Sequence, residues 1–160
     1  MLNVELEKLI KALDDPLAVI RNAAAQELGK RKSKEALQKL LILLEKDESA
    51  LVRDNVAFAL GEIGDPIAIP SLIKALKDSD EWVRKSAAKA LAYLNAEEAA
   101  DALIAVLNDP SPAVRKTAAR TLGILDIKKA IPYIEKLKND ENILVKKAAL
   151  QALERLQSKI

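Results

Sequence analysis

The chain has 160 residues, half of them apolar, and 26 Lys+Arg nearly balance 24 Asp+Glu to leave a formal net charge of +2. That is enough material for a core. It has no cysteine and no histidine, which excludes a disulfide framework, a thiolate nucleophile, a Cys-ligated metal and the commonest general base. The apolar content is almost entirely Ala, Leu, Ile and Val, with Phe58, Trp82, Tyr93 and Tyr133 as the aromatics, a composition suited to close packing of helices. The opening Met1-Leu2-Asn3-Val4-Glu5 lacks a basic segment leading into an apolar core, and no apolar run approaches the roughly 18 residues that cross a membrane. A soluble, cytoplasmic protein with no membrane contact is expected, and abundant Lys and Glu suit a heat-adapted source.

An aliphatic residue followed by a basic one recurs along the chain as Ile20-Arg21, Val52-Arg53, Val83-Arg84, Val114-Arg115 and Val145-Lys146. The basic positions 21, 53, 84, 115 and 146 differ by 32, 31, 31 and 31. Three and four residues beyond each marker come Ala24-Ala25, Val56-Ala57, Ala87-Ala88, Ala118-Ala119 and Ala149-Leu150, and seven beyond come Leu28, Leu60, Leu91, Leu122 and Leu153. These offsets are helical. A unit repeated five times specifies a stack, because one unit cannot bury its own apolar face and neighbours must complete it. The repeats read as one domain with units at about 3–31, 34–63, 66–94, 97–125 and 128–158.

Each unit reads as two helices. The second unit carries the one extra residue, where Leu44-Glu45-Lys46-Asp47 replaces the shorter Leu76-Lys77-Asp78; it is expected at a helix end. Between the second and third units, Gly64 suits the left-handed residue that ends a helix and Pro66 the first turn of the next. In the third unit, residues 67–77 place Ile69, Leu72, Ile73 and Leu76 on one face. Asp78-Ser79-Asp80 then offers N-caps for a second helix that turns Val83, Ala87, Ala88, Leu91 and Leu94 inward. Pro70 and Pro132 fall early in their first helices, where a missing N–H is harmless. In the fourth unit the adjacent Glu97-Glu98 read as compensation for a helix dipole. The fifth unit departs, with Lys146 for Arg, Glu154 where others have Gly or Ala, and a polar Gln157-Ser158-Lys159 tail, as expected of a cap with one neighbour fewer.

An Asp, six residues on an Arg preceded by Val, then Ala-Ala, Leu-Gly and an Ala-Ile-Pro entering the next helix resembles the short HEAT-like repeats, in particular the subclass first named for phycobilisome lyases. The resemblance covers essentially the whole chain and implies an all-α, right-handed α-solenoid of five two-helix repeats. It also implies a ladder of Asp and Arg that ties adjacent repeats, supplied here by Asp15 with Arg21, Asp47 with Arg53, Asp78 with Arg84, Asp109 with Arg115 and Asp140 with Lys146. Five copies of one constellation are a structural device, since no single active site needs five. No Gly-rich phosphate loop, nucleophile elbow or metal-ligand spacing is present. No cofactor, catalytic residue or metal ligand is expected, and the His-Glu iron motif of hydroxylases built on these repeats is closed to a chain without histidine.

In the resembled family the second helices line the concave face. Their outward positions, counted from the basic marker, lie two before it and one, two, five and nine after it. Phe58, Trp82 and Tyr93 fall in this set, as do Asn55, Lys85, Lys89, Lys116 and Arg120. Scarce aromatics at positions that packing does not require are the mark of a binding face. Trp82 and Phe58 also have the alternative of folding back to fill gaps between Ala-rich helices. Residues 81–160 carry 14 Lys+Arg against 10 Asp+Glu, and residues 1–80 carry 12 against 14, so the basic stripe points to a protein partner with an acidic surface. Two alternatives stand behind a non-catalytic protein-binding module: a nucleic-acid binder using the basic stripe and an accessory subunit of a lyase.

Overall fold

The computed structural model describes residues 3–158, so Lys159 of the polar tail lies outside the described residues. Among the described residues the chain forms ten α-helices and no strand. The first helices of the five units are α1 (Val4–Ala12), α3 (Leu37–Lys46), α5 (Ile69–Ala75), α7 (Ala100–Ala105) and α9 (Ile131–Lys136). The second helices are α2 (Ala18–Lys30), α4 (Ala50–Ile63), α6 (Glu81–Tyr93), α8 (Pro112–Ile124) and α10 (Ile143–Gln157). The whole is a right-handed α-solenoid. Short 3-10 turns at Lys34–Ala36, Pro66–Ala68, Glu97–Ala99 and Lys128–Ala130 open the first helices of units two to five. The extra residue of unit two lengthens α3, which stays α-helical to Lys46 and meets Asp47 directly. In units four and five the same stretch tightens into 3-10 turns at Val106–Asn108 and Leu137–Asn139.

The stops and starts repeat as regularly as the helices. Asp80 and Asn142 cap α6 and α10, each side chain accepting from two backbone amides. Gly64 adopts φ 75°, and the equivalent Lys32, Asn95 and Asp126 take φ 52°, 50° and 55°. Each of the four junctions demands a left-handed residue. Asn and Asp tolerate that conformation, and a lysine strains in it.

A single apolar cluster runs from Leu13 to Leu156. Ala25, Ala57, Ala88 and Ala119 are fully buried against the following unit, whereas Leu150, their equivalent in the last unit, is 55% exposed. The outer side of unit five is therefore less polar than a cap sequence implies, because no following second helix covers it among the described residues. At the other end Ile20 is 38% exposed where Val52, Val83, Val114 and Val145 are at 0%.

The Asp–Arg ladder has a different register from the within-unit pairing suggested by sequence. Arg21, Arg53, Arg84 and Arg115 each form a two-pronged bond to the Asp of the next unit, with Nε to Oδ2 distances of 2.7, 2.8, 2.7 and 2.8 Å to Asp47, Asp78, Asp109 and Asp140. Toward its own unit each Arg uses Nη1, which donates to the backbone carbonyls of Asp15, Asp47, Asp78 and Asp109 at 2.8–2.9 Å. The cause is local. Each Asp spends one oxygen on the amide two residues ahead (Leu17, Ser49, Asp80, Ser111 and Asn142), and this turn aims the carboxylate at the preceding unit. The result is four rungs, with Asp15 paired to no Arg and the Lys146 side chain making no hydrogen bond or ion pair among the described residues.

Candidate partner-binding face

Neighbouring second helices approach one another more closely than neighbouring first helices do. The reason is a small-residue seam. A methyl group built on Gly29 would sit 2.8 Å from Ala59 Cα, one on Gly61 2.9 Å from Ala90 Cα, and one on Gly123 3.0 Å from Ala152 Cα, so α2, α4, α6 and α8, α10 touch at spacings that a larger residue would forbid. The layer whose helices lie closer together is the inside of the curve, so the second helices make the inner face.

Trp82 and Tyr93 stand on this face, each 52% exposed, while Phe58 is half-buried. The two readings of the aromatics thus divide. Trp82 is presented to solvent, with Lys85 Nζ 4.6 Å from its ring centroid. Phe58 packs edge-on against Tyr93 at 6.2 Å and 67°, and Lys89 lies over both rings at 4.9 and 5.6 Å. Cations over aromatic faces hold the rings in place without hiding them.

The two halves of the face differ in how their polar groups are satisfied. In units one to three, Gln26 donates to Asn55 at 2.8 Å, Asn55 donates to the Leu51 carbonyl, and Ser86 Oγ donates to Asp54 at 2.5 Å. Asn55 is therefore part of an inter-repeat bridge rather than a free contact. Burial pushes the Asp54 carboxyl above its ordinary value, against the opposing effects of the Ser86 bond and the nearby Lys85 charge. In units three and four, by contrast, the side chains of Lys85, Lys89, Lys116 and Arg120 make no ion pair or hydrogen bond among the described residues. Lysines elsewhere do find carboxylates: Lys39 with Asp14, Lys74 with Glu45, Lys129 with Asp101 and Lys138 with Glu135. Lys8, Lys11, Lys30, Lys77, Lys147 and Arg155 also lack an ion pair among the described residues; the four on α6 and α8 differ in standing together beside the exposed aromatics.

The seam between α6 and α8 breaks the small-residue rule. Ala92 stands where the other units have Gly29, Gly61 and Gly123, and Thr121 stands where they have Ala59, Ala90 and Ala152. Thr121 is buried with its hydroxyl donating to the Ala88 carbonyl at 3.0 Å. With side-chain atoms on both sides the helices stand apart, and the gap opens to the inner face as a cleft of about 500 Å³ walled by Ala92, Tyr93, Thr121 and Ile124 and rimmed by the four cations. The α8–α10 seam, where Gly123 meets Ala152, leaves about 60 Å³; a further space of about 460 Å³ at the C-terminal ends of α2 and α4, beside Gly29 and Gly61, is lined by the charged Lys30, Lys32 and Glu62. Sequence reading placed Ile124 and Thr117 at outward positions but missed Ala92 and Thr121; their signal was the departure from Gly and Ala at otherwise constant positions. Among the described residues no cluster of three or more His, Cys, Asp or Glu side chains is placed to hold a metal ion, and no helix is long and apolar enough to cross a membrane.

A family model for HEAT repeats matches residues 6–92 and 69–154. The chain belongs to the HEAT-repeat family. Among solved structures, this HEAT-repeat chain is similar to the complex of CpcE and CpcF of phycocyanin lyase from Nostoc sp. PCC7120, with TM-score 0.87 and 29% identity over 99% of this chain and 67% of that one. It is also similar to an engineered protein (TM-score 0.73, 26% identity, 97% and 82% covered). A designed armadillo repeat protein in complex with a (KR)4 peptide matches with TM-score 0.69 and 26% identity over 95% and 82%. Comparison with curated protein sequences finds no match. Repeat solenoids of this kind are typical protein-interaction modules, and both the lyase and the designed protein were solved with a partner bound.

Proposed function

We propose that this HEAT-repeat chain is a non-catalytic protein-binding module whose inner face, over units two to four, holds a partner with an acidic surface. The observation that carries the reading is the coincidence on one face of an exposed Trp82 with four cations, Lys85, Lys89, Lys116 and Arg120, that form no ion pair within the described chain. No carboxylate of the described chain neutralises these four, which stand together on one face beside exposed aromatics, so they are available to an opposing surface. Trp82 serves as the anchor, Phe58 and Tyr93 extend the apolar contact, and the cations orient the encounter. Four of the five repeated carboxylates, Asp47, Asp78, Asp109 and Asp140, are tied up in the ladder, which supports the non-catalytic reading. Cytoplasmic location and a heat-adapted source are expectations of the same reading.

The charge distribution favours a protein over a nucleic acid. A phosphate backbone tracking the whole face would meet Asp54 and Glu62 in unit two, and the net charge of +2 gives little long-range attraction. The test is capture of partners from native lysate, followed by affinity measurements with wild type, Trp82→Ala and Lys85→Glu over a salt series. An acidic protein partner gives weaker binding for both variants with a modest salt slope. Unchanged affinity in both removes the reading.

A further inference from the structure

We infer that the cleft between α6 and α8 is a specific pocket for one apolar side chain of an extended acidic peptide segment, flanked by carboxylates that pair with the cations around it. This deepens the inner-face reading and rests on it. It assigns the selective contact to the α6–α8 cleft, distinct from the Trp82 surface.

The inference starts from the one seam that is built differently. At three second-helix contacts a Gly packs against an Ala so tightly that an added methyl would collide at 2.8–3.0 Å. At the fourth, Ala92 and Thr121 keep the helices apart and open about 500 Å³. The walls are suited to a hydrocarbon group: the Ala92 methyl, the ring of Tyr93 and the side chain of Ile124, which is 50% exposed. The one buried hydroxyl, that of Thr121, is already satisfied by the Ala88 carbonyl. Thr117, which also lines the cleft, gives its hydroxyl to the Ala113 carbonyl at 2.8 Å, so neither threonine calls for a polar guest and the floor selects an apolar side chain the size of leucine or phenylalanine.

The rim selects what flanks it. Lys85 and Lys89 come from α6, Lys116 and Arg120 from α8, so the cleft has two cations on each side. Adjacent packed helices lie about 8–10 Å apart, and an extended chain advances about 3.3 Å per residue. A segment of three or four residues therefore spans the cleft, placing a central apolar side chain in the gap with acidic neighbours before and after it. Arg120 presents a planar fork that takes a carboxylate through two hydrogen bonds. Lys85 and Lys89 are held near their places by the rings beneath them, which reduces the ordering cost of pairing. Charge complementarity and a hydrocarbon floor confined to one seam point to a short peptide segment. Single-stranded nucleic acid, which needs stacking platforms along a continuous basic track, is the competing outcome.

Fluorescence anisotropy at low ionic strength tests this with a labelled peptide of sequence Ser-Glu-Asp-Leu-Asp-Glu-Ser, the same peptide with Ser for Leu, and a labelled oligothymidine. Wild type is expected to bind the Leu peptide at least about tenfold more tightly than the Ser peptide, the effect of burying one apolar side chain. The double variant Ala92→Gly/Thr121→Ala, which rebuilds the seam in the form of the other three while leaving every cation in place, is expected to lose about tenfold for the Leu peptide. A thermal melt checks that it folds, and Ala92→Met, which fills the cleft from within, gives the same loss if the double variant does not fold. Equal affinity for the Leu and Ser peptides, tighter binding of the oligothymidine, no binding of the Leu peptide, or unchanged affinity in the cleft variants would each overturn the assignment. Trp82→Ala separates the two readings. Loss with Trp82→Ala but not with the cleft variants removes the pocket and keeps the inner face; binding that survives all of these variants removes both.

Discussion

Arg84→Ala tests the ladder register most sharply. The Arg84 guanidinium gives Nε to Asp109 Oδ2 at 2.7 Å, Nη2 to Asp109 Oδ1 at 2.9 Å, and Nη1 to the carbonyls of Asp78 and Ser79 at 2.9 and 3.1 Å. Its removal leaves the Asp109 carboxylate, with 5% of its side chain exposed, holding only the Ser111 amide. An unpaired, nearly buried carboxylate together with orphaned carbonyls costs about 3 kcal/mol. At roughly 2–4 °C per kcal/mol for a chain of this size, the melting temperature falls by about 6–12 °C. Asp15→Ala should cost no more than about 1 kcal/mol, because Asp15 bonds the Leu17 amide and no Arg. Lys146→Ala and Lys85→Ala should stay within about 0.5 kcal/mol. Thermal melts followed by circular dichroism, with an Arg84/Asp109 double-mutant cycle, measure the coupling directly. Equal losses for Arg84→Ala and Asp15→Ala would refute the register, since within-unit pairing makes the two equivalent.

Other expectations follow from the same geometry. Gly61→Ala drives a methyl to 2.9 Å from Ala90 Cα and should destabilise by about 1–3 kcal/mol in a urea titration. Lys32→Gly relieves a left-handed lysine at φ 52° and should stabilise by about 1 kcal/mol, read in the same titration. Burial works against Asp47 and Asp78, but the hydrogen bonds from Arg21 and Arg53 outweigh it, and Arg115 does the same for Asp140, so all three carboxyls lie below the ordinary aspartate value of 3.8. Their contribution is fully present above that value and is lost as pH falls through the lower folded values. Asp54, raised by burial, has the opposite sign: stability rises as pH falls through its folded value, and Asp54→Asn should abolish that rise in melts taken between about pH 7 and pH 4. Trp82→Ala should leave the melting temperature nearly unchanged while weakening partner binding by about 2.5 kcal/mol, the value for burying the roughly 100 Å² of the ring left open.

The sequence was most legible where a local rule repeats. Helix offsets, the Asp80 cap and the left-handed Gly64 were readable because each depends on residues within a turn or two. The ladder was readable in its residue types but not in its register. A periodic chain shows Asp six residues before each Arg and again 25 or 26 after it, and the Asp–amide turn that selects the second pairing is a matter of direction. Trp82 and Phe58 occupy equally outward offsets, yet one is exposed and the other leans on Tyr93, because that outcome depends on what the neighbouring helix presents. The cleft was hidden for a related reason. Ala92 and Thr121 are unremarkable alone and acquire meaning only when stacking sets them opposite each other.

The central claim, that a partner occupies the inner face of units two to four, is tested most directly by site-specific photo-crosslinking in cells. A photoreactive residue is placed at Trp82 or Lys116 on the inner face and at Tyr133 or Ile42 on the first helices, all four positions lying on the described surface. The account predicts a discrete protein adduct from Trp82 and Lys116 and none from Tyr133 or Ile42. Adducts from the first helices alone would contradict it.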